Sequence, residues 1–149
     1  MKNDSLDELY QSIILEHNKL PSNYGHLEGA THSAEGYNPL CGDKCTVHLN
    51  VVDQYIEAIK FEAACCAICK ASASMMTIAL LGKSLAEAEK FTLRVDRILS
   101  NDNVDDLESD GDLVSLNGVK NFPARVKCAS LPWRTYQAAT SQKSRAVLE

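Results

Sequence analysis

Between residues 5 and 18 the apolar positions Leu6, Leu9, Tyr10, Ile13 and Ile14, together with His17, recur at helical spacing. Ser5 and Glu8 have the spacing of a capping box, in which each side chain satisfies an orphan amide, so a first helix is expected to begin there. The turn-rich stretch Pro21-Ser22-Asn23-Tyr24-Gly25 should end it. After a loop or short strand near 31–36, Thr46-Val47-His48-Leu49-Asn50-Val51 alternates polar with apolar. Asp53-Gln54 then separates it from Tyr55 to Glu62, which reads as a β-hairpin on a weaker turn signal than Asn-Gly.

From Cys66 to Leu81 the chain turns to Ala, Ser, Met and Leu, a helical composition closed by Gly82. Ser84 and Glu87 repeat the capping-box spacing ahead of Leu85, Ala88, Phe91, Val95 and Ile98, predicting a helix to about Leu99. Ser100 to Asp112 is strongly acidic and reads as an exposed, solvated loop. Asp106, Glu108, Asp110 and Gly111 resemble the start of an EF-hand loop, but its twelfth position is Asn117 where a bidentate Glu is needed, which argues against calcium. Pro123 can open a short helical turn through Arg125, and Ser130 with Pro132 a last helix through Ala139. The expected class is α+β: a small antiparallel sheet of about three strands packed against helices, without internal repeats. Residues 1–149 are expected to form a single domain with an acidic insertion near 100–112.

Fifteen Lys and Arg against 20 Asp and Glu give a net charge of -5, so there is no basic surplus to neutralise phosphates and no nucleic-acid partner is expected. The first eight residues carry charges where a signal peptide needs an apolar core, and the longest nearly apolar run, Met75 to Leu81, is too short to cross a bilayer. The expectation is a cytoplasmic protein with no membrane partner. In a reducing compartment its six cysteines read as metal ligands or reactive thiols rather than disulfides, the plain alternative for each being a small buried hydrophobe.

Five of the six lie in three short segments, Cys41-Gly42-Asp43, Cys65-Cys66-Ala67-Ile68-Cys69 and Arg125-Val126-Lys127-Cys128. A soft divalent metal takes about four ligands in a tetrahedron, and Cys41, Asp43, Cys66 and Cys128 would supply them. Gly42 permits a sharp turn that lets a thiolate and a carboxylate converge. Cys66 heads a helix, where the dipole and unpaired amides favour a thiolate. Lys44, Arg125 and Lys127 are candidates to offset the negative charge of such a set, or are simply surface cations. Cys69 shares a helix face with Cys66 and can compete as a ligand, and Cys45 shares the face of Asp43 if the strand has begun, so spacing alone does not choose among the thiols. Buried or spare thiols are the default for Cys45, Cys65 and Cys69. His17, His26, His32 and His48 show no paired ligand spacing, and structural roles are assigned to each.

The order N-P-x-C-G-D, then F-E-x-x-x-C-x-I-x-x-A-S-A-S-M-M-T, then F-P-A-R-V-K-C-A-S-L-x-W resembles the IscU/NifU N-terminal-domain family of iron-sulfur cluster assembly proteins, and specifically its SufU branch. The resemblance covers roughly residues 6–139 and includes Glu16-His17 through His26-Leu27. Lys127 stands where the scaffold branch has His, Arg125 where it has Lys, and Cys128 lies 62 residues past Cys66, a gap lengthened by an insertion that includes the acidic segment. The replaced residues and the longer gap are the two features that favour the SufU branch.

The resemblance implies a zinc-dependent sulfur acceptor of sulfurtransferase type. It would take persulfide sulfur from a PLP-dependent, SufS-like cysteine desulfurase and pass it to downstream iron-sulfur assembly proteins. Carried over by position, Cys41, Asp43, Cys66 and Cys128 are the zinc ligands, Cys41 the sulfur acceptor, and Arg125 a helper at the site or partner interface. Cys65 stands where the family has Gly and Cys69 where Ser is usual, so an extra ligand or acceptor is open. The alternative is a scaffold that binds iron and assembles a [2Fe-2S] cluster, which soft thiolates also suit.

Overall fold

The structure is a computed structural model that describes the backbone of residues 2–100, 104 and 107–148 and the side chains of 7–100, 104 and 110–148. The helix α1 spans Lys2–Lys19 and is followed by β1 (His32–Asn38), β2 (Asp43–Val52) and β3 (Tyr55–Ala64). Then come α2 (Ala67–Leu80), α3 (Leu85–Leu99), a kinked 3-10 segment over Leu107–Val119, α4 (Pro123–Thr140) and β4 (Arg145–Val147). The sheet order is β3-β2-β1-β4. The expected α+β layering is present: Val47, Leu49, Ile59 and Phe61 on one sheet face are buried with Met76, Leu80, Leu131 and Trp133 of α2 and α4. The opposite face carries Ser33, Lys44, Thr46, His48 and Glu62, as the strand period of two requires.

Asp53 and Gln54 both adopt positive φ, 53° and 70°, the twist that a two-residue hairpin loop needs. Ser84 caps α3 with the reciprocal box to Glu87, and Gly82 leaves α2 with φ 81°. Gly36 is required by packing, because a Cβ there would lie 1.9 Å from Thr135 Oγ1. Without that side chain α4 comes close against β1.

Four expectations are corrected. Helix α1 starts at Lys2, so Ser5 lies inside it rather than at its cap, and the Ser5 side chain of the supposed capping box lies outside the described ones. A fourth strand, β4, pairs parallel to β1 at the sheet edge, too short at three residues to leave a pattern. The stretch from Pro123 is one continuous helix, with Pro132 inside it rather than in a new first turn. Proline there removes a helical hydrogen bond, and the burial of Leu131, Trp133 and Tyr136 around it offsets the cost.

The fourth correction concerns the acidic segment. Residues 101–103 and 105–106 lie outside those described, but 107–112 belong to the 3-10 segment, not to a loop. Two of its carboxylates are internal pins: Asp110 takes a bidentate pair from Arg94 of α3 at 3.0 and 2.8 Å, and Asp112 Oδ2 accepts from His17 Nε2 at 2.7 Å. Ser74 Oγ accepts the Ser22 amide at 2.8 Å and stands 2.8 Å from His17 Nδ1. With the hydroxyl donating to Nδ1, the Nε2 proton is left for Asp112. This has the residue types of a nucleophile triad, but Ser74 is fully buried on α2, so the relay ties α1, α2 and the 3-10 segment together.

Cutting that relay leaves a buried hydroxyl and a carboxylate underpartnered. His17→Ala is expected to lower the free energy of unfolding by about 1–3 kcal/mol in urea denaturation. A change below about 0.5 kcal/mol, the range of an ordinary surface substitution, would contradict the relay.

Candidate metal centre

Each candidate ligand is placed by a local feature of backbone chemistry. Asn38 and Asp43 pair in register where β1 ends and β2 begins, and the connection 39–42 closes on the Gly42 amide, which donates to Asn38 O at 2.8 Å. Gly42 has φ 72°, the left-handed turn expected of it. Cys41 is thereby held on an exposed tip, while Asp43, two residues on, points into the core and is 3% exposed. Cys66 is the N-cap of α2, its Sγ accepting the Cys69 amide at 3.5 Å. Cys128 is buried on α4, in the second turn of the helix that Pro123 opens.

Three ligand atoms, from Cys41, Asp43 and Cys128, lie within 4.8 Å of one another. The two sulfurs are 3.9 Å apart. Tetrahedral zinc with Zn–S bonds of about 2.3 Å sets its sulfurs about 3.8 Å apart. Cys66 is not within that close trio but borders it, for its amide donates to Asp43 Oδ1 at 3.0 Å and its sulfur adjoins Cys128. The other carboxylate oxygen, Asp43 Oδ2, is buried and accepts no hydrogen bond among the described residues. A buried carboxylate with an oxygen unsatisfied is costly unless a cation completes it. The donor set therefore fits a thiophilic divalent metal.

The remaining thiols separate from this centre. Cys69 of α2 is turned to Cys45 of β2 and to Cys65, and hydrogen bonds with those two, followed by burial, push its thiol pKa up. Cys45 and Cys69 are buried and Cys65 is half-buried, which agrees with the default of spare thiols. The Cys128 pKa is also raised, first by burial and then by the neighbouring Asp43 carboxylate and Cys66 sulfur. Arg125 is exposed one turn ahead of Cys128, Lys44 is exposed on β2 and Lys127 is half-buried on α4.

Sequence spacing does not reveal a second convergence. His26, His48 and Glu62 bring ligand atoms within 4.8 Å of one another, although the two histidines lie 22 positions apart. The strand alternation that sets His48 and Glu62 on one face is the signal that bears on it.

A family model described as the NifU-like N-terminal domain matches residues 9–129. The chain is 36% identical over 141 residues to the zinc-dependent sulfurtransferase SufU of Bacillus subtilis strain 168, an alignment covering 95% of each chain. It is 33% identical over 137 residues to the iron-sulfur cluster assembly scaffold protein IscU of Thermotoga maritima, covering 92% of this chain and 96% of the other. Among solved structures it superposes with a TM-score of 0.79 and 33% identity on a protein of Fervidobacterium islandicum AW-1 described as a candidate iron-sulfur cluster assembly scaffold for the SUF system. That match covers 85% of this chain and 93% of the other. No helix among the described residues is long and apolar enough to cross a membrane.

Thiol reactivity should follow this arrangement in the metal-free protein. A brief iodoacetamide pulse near neutral pH, read by peptide mass spectrometry, is expected to label Cys41 and Cys66 while sparing Cys45, Cys69 and Cys128. Because the Cys128 pKa is raised, its thiolate fraction at neutrality is reduced and grows about tenfold per pH unit on the acid side of that pKa, so its labelling should rise with pH. Early labelling of Cys69 ahead of Cys41 would contradict the placement.

Proposed function

The chain belongs to the family of NifU-like N-terminal domains, and on that premise we propose that it is a zinc-dependent sulfur acceptor. It takes persulfide sulfur from a PLP-dependent cysteine desulfurase for iron-sulfur cluster assembly. The carrying observation is the buried, unsatisfied Asp43 Oδ2 beside two sulfurs spaced 3.9 Å apart. The zinc-dependent sulfurtransferase named among the relatives supports the same reading. Cys41, Asp43, Cys66 and Cys128 would hold the ion. Zinc bound there supplies charge that keeps thiols deprotonated and has no redox chemistry of its own.

The residues divide the work by exposure. Asp43 and Cys128 are buried on β2 and α4, so they form the fixed base of the site. Cys41 sits on the exposed tip beside Gly42 and is the ligand free to meet a partner. In the transfer step the Cys41 thiolate attacks the outer, sulfane sulfur of the desulfurase persulfide. The new S–S bond forms on Cys41, the old one breaks, and the desulfurase cysteine leaves as its thiolate. Arg125, exposed one turn before Cys128, supplies a positive charge to the anionic persulfide or the partner surface that carries it.

The scaffold reading draws on the iron-sulfur cluster assembly name of the Thermotoga maritima relative and on the three thiolate positions. The added thiols do not strengthen it, since Cys69 faces Cys45 and Cys65 rather than the centre.

The test is cysteine turnover by the cognate desulfurase together with persulfide trapping. Wild-type protein with zinc in thiolate coordination should stimulate turnover and carry the trapped sulfur on Cys41. Folded Cys41→Ala should return turnover to the level of the desulfurase alone. A competent desulfurase that is not stimulated, or trapped sulfur on Cys69, would overturn the proposal. Anaerobic reconstitution that yields a stable visible chromophore on a protein unable to accept sulfur would favour the scaffold.

A further inference from the structure

We propose that His26, His48 and Glu62 form a second metal site, on the sheet face opposite the thiolate centre, for a borderline divalent transition metal such as zinc. The site is assembled by strand register. Thr46 of β2 pairs with Glu62 of β3 and His48 pairs with Lys60, so His48 and Glu62 are diagonal neighbours on one face. His48 Nε2 stands 2.8 Å from Glu62 Oε1. The third residue comes from the loop after α1. There Tyr24 bridges Phe61 along the edge of β3, and the Gly25 amide donates to Phe61 O at 2.8 Å. The next residue, His26, is thereby laid over the sheet, its ring edge-on to that of His48 with centroids 5.0 Å apart and Nδ1 3.8 Å from Glu62 Oε1.

Two imidazoles and a carboxylate are a ligand set for zinc and its neighbours, with a fourth position left to water. Zn–N and Zn–O bonds of about 2.0–2.1 Å place tetrahedral donor atoms about 3.3–3.4 Å apart. The separations of 2.8 and 3.8 Å straddle that figure. His26 and Glu62 have side chains 63% and 46% exposed, so they can rotate to close the difference while the backbone stays fixed. The buried ligand is also oriented: His48 Nδ1 is 3.0 Å from Ser33 Oγ, which sits directly across from it on β1. Without a metal the Glu62 carboxylate accepts from Nε2–H. With a metal in place of that proton, Nδ1–H donates to the Ser33 hydroxyl and the Nε2 lone pair faces the ion, the outer-shell support that metal-binding imidazoles commonly have.

The surrounding charge is mixed. Glu28, with Oε2 3.9 Å from His26 Nε2, favours a cation, while Lys60, opposite His48 in register, opposes it. His48 lies five residues beyond Asp43, which puts the two sites about 17 Å apart along β2 at about 3.4 Å per residue. Asp43 points into the helical layer and His48 away from it, so neither site can lend ligands to the other. When filled, the second site clamps the loop after α1 onto the middle of the sheet.

Cobalt(II) distinguishes the sites by colour. The untagged full chain, titrated anaerobically, should bind two equivalents. One gives thiolate-to-cobalt charge-transfer absorption, and the other only the weaker d–d bands of nitrogen and oxygen ligands. His26→Ala, at an exposed loop position, should lose the second equivalent and keep the thiolate band. Glu62→Gln should do the same. Wild-type protein that stops at the thiolate-bound equivalent, or His26→Ala that still binds two, would overturn the proposal.

Discussion

The burial of the Asp43 carboxylate governs the organisation of this molecule. One oxygen is held by the Cys66 amide at the mouth of α2, and the other finds no hydrogen bond among the described residues. Burying a carboxylate with one oxygen left unsatisfied is costly, and a cation at that oxygen offsets the cost. The surroundings agree with a cation. The left-handed turn at Gly42 brings Cys41 back over the carboxylate, the N-cap of α2 sets Cys66 beside it, and α4 delivers Cys128 from far along the chain. Gly36 and the continuous α4 matter for the same reason, since a side chain at Gly36 would push Cys128 and its helix off β1.

Apart from Cys128, which is buried in the close trio with Cys41 and Asp43, exposure sorts the chemically identical thiols into two groups. Cys69 is buried among Cys45 and Cys65, which favour its protonated form, and it behaves as part of the core. Cys41 lies on a loop tip and Cys66 at a helix mouth, both reachable from solvent. Accessibility, and not cysteine content, thus separates a thiol that can react from one that packs.

Where the sequence carries local signals, the elements are legible. The capping box at Ser84, the turn at Asp53-Gln54 and the turn at Gly42 each depend on adjacent residues and are found where expected. The convergence of Cys41, Asp43 and Cys128 could be suspected from their chemistry, and the family resemblance selected them from among the thiols. What was not legible depends on distant partners. Asp110 and Asp112 read as solvated charge because Arg94 and His17, which bind them, lie 16 and 95 positions away. Pro132 reads as a helix start because only tertiary burial tells that the helix runs through it. The His26, His48 and Glu62 group is hidden twice over. A bulge between Asn50 and Val51 shifts the hairpin register, and so decides which β3 residues share a face with His48. His26 then arrives from a loop with no spacing rule of its own.

We propose that Asp43 completes one tetrahedral centre with Cys41, Cys66 and Cys128. Zinc K-edge X-ray absorption on protein loaded with a single equivalent tests it most directly. The expected first shell is three sulfurs at about 2.3 Å and one oxygen at about 2.0–2.2 Å. On Asp43→Ala the oxygen should come from water or be lost, with the sulfurs retained. A shell of four sulfurs, which would require one of Cys45, Cys65 or Cys69 in place of Asp43, would contradict the claim.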